Sequence, residues 1–106
     1  MSSCSPPTPE LFYDQDGNPI DLWTFAELAE SHQRVVAYSL VGDVEVLTVW
    51  LGVNHNFIGI GPPIIFETKI FGGEHHLRMA RYATKEGARA GHDLVVKALR
   101  DGAELP

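Results

Sequence analysis

The sequence predicts an α+β domain. Four antiparallel strands form a meander, a C-terminal helix packs on one face, and a short helix precedes the strands. Three observations lead there. Two runs dense in β-branched and aromatic residues, "RVVAYSLV" and "VEVLTVWLG", flank Gly42-Asp43. The stretch "TKEGARAGHDLVVKALRDG" carries a helical apolar stripe between a good cap and a good stop. The connections between the apolar runs are short, which favours sequential antiparallel neighbours.

Residues 1–10 hold three prolines, three serines and a threonine, so they have little to bury and are expected to form a disordered tail. The single α+β domain is expected over 11–106. Its first feature, "LFYDQDGNPI", sets Asp16-Gly17 between short apolar runs as a tight turn. Pro19 restricts the next segment to an edge position or a helix approach.

"WTFAELAESH" is expected to be a short helix. Thr24 and Glu27 have capping-box spacing, and Trp23 and Leu28 have the spacing of a hydrophobic staple. Phe25, Leu28 and Ala29 form its apolar face, and it should end near Ser31–Gln33.

Gly42-Asp43 is a Gly-first two-residue turn between the first two strands. In the second of these, both alternating faces are largely apolar. A central position with cover on both sides, at least in part, is expected. "IIFETKIF" is a third strand with a partly polar middle, and "HHLRMARYA" a fourth, with Leu77 and Met79 alternating with charged neighbours. In the last helix Thr84 caps, Gly102 stops, and Ala88, Gly91, Val95 and Ala98 form a stripe with Leu94 and Leu99 beside it. Gly87 and Gly91, one turn apart, point to close approach of helix and sheet, because a helical glycine costs roughly 1 kcal/mol relative to alanine.

Composition narrows function. With 8 basic against 14 acidic residues and a net charge of −6, a nucleic-acid binder working through a basic surface is not expected. The single cysteine, Cys4, rules out an internal disulfide and makes a cytoplasmic protein the default. No leader-like apolar segment and no membrane span is visible. No cofactor motif is present, so none is expected.

"FYDQDGNPIDLWTFAEL", "VEVLTVWLGVNHNFIGIGPPIIFETKIFGG" and "RYATKEGARAGHDLVV" together resemble a group of small uncharacterised proteins of actinobacteria and their phages. A "TVWLG-x-x-H-x-F…GPP-x-IFET-x-x-FGG" core marks that group, and the likeness spans about residues 12 to 97. The resemblance implies a cytoplasmic, phage-associated accessory protein and brings no catalytic residue with it. His55, Gly59, Gly61, Pro62, Pro63 and Glu67 are positions its pattern marks.

Several constellations have the residue types of a site. Asp14-x-Asp16-x-Asn18 has the opening spacing of a calcium loop, but its glycine comes too early and Phe25 stands where a ligating Glu belongs. A turn is favoured. His55, Glu67 and either His75 or His76 could form a three-ligand zinc site if the 54–63 loop folded back. No metal-binding spacing supports it, and hydrogen-bonded or solvated histidines are favoured. Ser39 and Cys4 lie on no nucleophile elbow. "GIGPP" leads into a strand rather than a helix, and its prolines remove two amide donors, which argues against a phosphate loop. Arg78, Arg81, Lys85 and Arg89 form a solvated face or a small docking patch.

The favoured function is therefore a non-enzymatic interaction protein with a protein partner, a small module that binds and modulates a macromolecule. A binding loop would comprise His55, Phe57, Ile58 and Ile60 with Trp50 and Glu67 nearby. A structural lid, with those apolar side chains folded onto the sheet beside Trp50, is slightly preferred for the loop itself. A small metal-dependent or ligand-binding enzyme and a self-associating homo-oligomer are the alternatives.

Overall fold

β-branched residues crowd their own backbone least when it is extended, and the two richest runs form the first two strands. The computed structural model describes residues 11–106. In chain order it contains α1 (Leu22–Glu30), a 3₁₀ turn (His32–Arg34), β1 (Val35–Val41), β2 (Val44–Trp50), β3 (Phe66–Phe71), β4 (Met79–Tyr82) and α2 (Lys85–Asp101). The four strands form one antiparallel sheet in the order β1-β2-β3-β4. With α2 packed on it and the short α1 before it, the fold is α+β. The expected tail at 1–10, with Cys4, lies outside the described residues.

The turns follow their sequence signals. Asp14 Oδ1 accepts the amides of Asp16 and Asn18, and Tyr13 bridges to Pro19, so the aspartates build a turn. Val41 pairs with Val44 around Gly42, whose φ is 60°.

Alternation sorts the sheet into two faces. Val46, Thr48 and Trp50 of β2 and Phe66, Thr68 and Ile70 of β3 are buried beneath α2, which touches all four strands. Their neighbours Leu47, Val49, Glu67, Lys69 and Phe71 are only half-buried. No helix lies on that second face among the described residues, so the cover expected there is only partial. Its apolar side chains are shielded by each other and by mixed charge instead. Tyr38 donates to Glu45 at 2.7 Å, Arg81 pairs with Glu67 at 3.1 Å, and Lys69 lies over the Phe71 ring.

Two clusters make the core. Val46, Ile70, Val95 and Val96 join α2 to the turn end of the sheet. Trp50, Ile65, Phe66 and Ala88 form the other, with Tyr13, Ile20, Phe25, Leu28 and Ala29 packed against them. Phe25 stacks on Phe12 with centroids 4.5 Å apart and meets Trp50 at 5.7 Å. Gly52 is required where these rings meet: its φ is 74°, and a Cβ would lie 2.6 Å from both Phe25 and Trp50.

The start of α1 differs from expectation. Asp21, not Thr24, is the N-cap, and its carboxylate accepts the Thr24 amide at 2.8 Å. Asp caps at least as well as Thr, and Ile20 and Phe25 then take the N′ and N4 positions of the staple, both packing on the Trp50 cluster. Trp23 falls inside the helix and is 78% exposed.

The fourth strand is shorter than expected. Glu74 to Leu77 form a turn, with Leu77 at φ 69°, so His75 and His76 do not lie on a strand. In α2, Thr84 caps by accepting the Gly87 amide, and Gly102 ends the helix in the left-handed region. The expected stripe is buried, but His92 and Val96 join it whereas Leu94 is exposed. Gly91 faces the Tyr82 ring so closely that a Cβ would overlap it, so close helix–sheet approach accounts for this glycine.

Candidate functional site

The segment between β2 and β3 adds two backbone bonds across their hairpin, and between them residues 52–54 bond instead to the N-terminal segment, with Tyr13 N–H donating to Gly52 O at 2.8 Å and Asn54 N–H to Leu11 O at 3.0 Å. Leu51 N–H donates to Ile65 O at 2.7 Å, and His55 N–H donates to Ile64 O at 2.8 Å. Beyond these rungs two asparagines organise the tip. Asn54 Oδ1 accepts the amides of Asn56 and Ile64, and Asn56 Nδ2 donates to the carbonyls of Ile60 and Pro62. Side-chain amides thus replace the backbone ladder where Gly and Pro cannot continue it.

The side chains held out by this frame are apolar. Phe57, Ile58 and Ile60 are 81%, 84% and 81% exposed. The lid expectation is therefore overturned, since none of the three folds onto the sheet. Trp50 is not their neighbour. It is 3% exposed, and its indole N–H donates to Tyr13 O at 3.0 Å. The shape of the hairpin decides this: its rungs carry the chain past the strand ends before it turns. His55 does belong to the loop. Its Nδ1 donates to Val53 O at 2.8 Å, and its ring lies 5.8 Å from that of Phe57. Glu67 stands on β3, bound to Arg81.

The candidate zinc ligands do not converge. His55 bonds to Ile64 before β3 begins, while His76 Nδ1 accepts the Gly72 amide just after β3 ends. A six-residue strand separates them, about 20 Å. Among the described residues no group of three or more His, Cys, Asp or Glu side chains could hold a metal ion. Of the basic stretch, Arg81 is held by Glu67.

A second constellation lies between α2 and the sheet. His92 Nε2 is 2.9 Å from Ser39 Oγ, and its Nδ1 is 2.8 Å from Thr48 Oγ1. Thr48 in turn shares a hydrogen bond with Thr68. His92 is 2% exposed, and burial pushes its pKa below the usual imidazole value, with the nearby Asp93 charge opposing. A neutral imidazole donates from one nitrogen and accepts at the other, and a hydroxyl can complement either role. The chain of hydrogen bonds is thus satisfied throughout, and it ties α2 to β1, β2 and β3. A Ser–His contact alone is no catalytic dyad here, because both groups point into the helix–sheet interface and no acid orients the imidazole. In the sequence His92 is one of five histidines with nothing to set it apart as a partner of Ser39. The available signal was its position four residues before Val96 and one after Gly91, on the buried side of the helix.

Compared with known proteins, the chain matches no family model, and neither the curated proteins nor the solved structures give a significant match. Among the described residues no helix is long and apolar enough to cross a membrane.

Proposed function

We propose that this chain is a small, non-enzymatic interaction protein of the cytoplasm that grips a macromolecular partner with the tip of the β2–β3 hairpin. One observation carries the reading: Phe57, Ile58 and Ile60 are all more than four-fifths exposed on a loop whose shape is set by Asn54 and Asn56. Exposed apolar side chains gain free energy only when something covers them, and a pre-shaped loop loses little entropy on being covered. The partner surface that fits is an apolar pocket with few charges, because residues 46–66 contain no Asp, Glu, Lys or Arg. In the setting implied by the resemblance to phage proteins, that partner is a host protein.

The test is affinity capture followed by reconstitution with the purified partner. The triple variant Phe57→Ser, Ile58→Ser, Ile60→Ser should weaken binding by about 100-fold or more, as loss of a buried anchor does. Trp23→Ser, at an exposed apolar site on α1, should leave binding intact. Equal binding by the tip variant and the unaltered protein would remove the basis of this reading.

A further inference from the structure

The two edges of the sheet are built differently. β4 is four residues long and carries Arg81, which is paired with Glu67. Short length and charge are common devices against unwanted strand pairing. β1 is seven residues long, reads Val-Val-Ala-Tyr-Ser-Leu-Val, and has neither a charge nor a proline. A register shift between Val35 and Ala37 breaks the start of the strand, and Ala37–Val41 after it are regular. Its only strand neighbour among the described residues is β2, which leaves alternate N–H and C=O groups facing outward.

We infer that β1 is a homodimerisation edge, on which a second copy of this chain pairs its own β1 antiparallel about a twofold axis. A bare edge takes an extended, uncharged strand, and β1 is itself such a strand. The charges at its two ends select the occupant and its direction. Arg34 precedes the strand and Asp43 lies in the turn after it, both exposed. Neither has an ion-pair partner among the described residues. Antiparallel pairing brings Arg34 of each copy alongside Asp43 of the other. Parallel pairing would set like charges together at both ends. For a chain of net charge −6, a charge-free strand with opposite charges at its ends is where two copies can approach. The twofold leaves α2 of both copies on the same side of one continuous sheet. This inference is independent of the hairpin tip.

The experiment is sedimentation equilibrium of the full chain across a concentration series, with circular dichroism to confirm that each variant is folded. The unaltered chain should dimerise. Arg34→Glu and Asp43→Arg should each weaken the dimer by about tenfold, and the double variant should restore it, since the charges are then exchanged. Phe57→Ser with Ile60→Ser should leave the dimer unchanged, which separates this surface from the proposed binding loop. A chain that stays monomeric throughout overturns the inference and leaves the edge to a foreign extended peptide. A dimer indifferent to the single reversals, or not restored by the double one, also overturns it.

Discussion

Across the helix–sheet interface, His92 of α2 meets Thr48 of β2, with Nδ1 2.8 Å from Oγ1. Thr48 also bonds to Thr68, but His92 could not be buried there alone. The imidazole needs a partner for each nitrogen, and Ser39 supplies the second. An unsatisfied polar group in such a place costs about 1–3 kcal/mol, so His92→Phe, which takes one partner from Ser39 and leaves Thr48 only its bond to Thr68, should destabilise the fold by up to about that much in denaturant titrations.

The same burial makes stability depend on pH. The folded protein holds the His92 pKa below its ordinary 6.5, so the unfolded chain takes up this proton first. The contribution of neutral His92 is complete above pH 6.5 and is lost as pH falls from that value through the lower folded pKa. Melting curves of the unaltered protein and His92→Gln should therefore converge as the solution is acidified. Parallel curves down to about pH 5 would show that the buried imidazole is not the titrating group.

Gly91 and Tyr82 form a coupled pair. Alanine is the better helix former by roughly 1 kcal/mol, yet Gly91→Ala should destabilise by about 1–3 kcal/mol because its methyl would overlap the Tyr82 ring. Tyr82→Ala costs stability on its own. Adding Gly91→Ala to it should cost nothing further, or recover some stability, because the obstacle is gone. Additive losses in the double variant would mean that the glycine serves something other than this approach.

The two tryptophans should behave as opposites. Trp50→Ala removes a side chain that is 3% exposed in the centre of a cluster and should cost about 3–5 kcal/mol. Trp23→Ala removes one that is 78% exposed and should change stability by no more than about 0.5 kcal/mol. Fluorescence gives an independent check: Trp23→Phe should leave a blue-shifted, quencher-protected emission from Trp50.

Asp21 rather than Thr24 starts α1. Asp21→Ala should lower the melting temperature, while Thr24→Ala should leave it nearly unchanged. The carboxylate pKa is lowered by the hydrogen bond from the Thr24 backbone amide, so the advantage of Asp21 over Ala should fade as pH drops below 3.8.

Much of this arrangement is local and was legible in the order of the residues. The Asp16-Gly17 and Gly42-Asp43 turns, the paired strands on either side of the latter, and α2 from Thr84 to Gly102 depend on near neighbours along the chain. Relative placement was not legible there. Thr24 and Asp21 are both competent caps, and only the docking of Ile20 and Phe25 onto Trp50 selects between them. His92 looks like any polar residue on a helix until Ser39 and Thr48 are brought beneath it. Alternation in β2 is apolar on both faces, and it does not say that α2 covers only one.

The 54–63 loop divides the same way. Its Asn, Gly and Pro residues determine that it turns, and its apolar residues that it carries something worth covering. Whether those residues close over the sheet or stand away from it was decided by tertiary structure. Leu51–Ile65, His55–Ile64 and the bonds of residues 52–54 to Leu11 and Tyr13 pin the base of the loop, and Phe57, Ile58 and Ile60 stand exposed beyond it. Short-range preferences act over a few residues and are written in the sequence. The length of a hairpin relative to the core it leaves is a property of the assembled sheet.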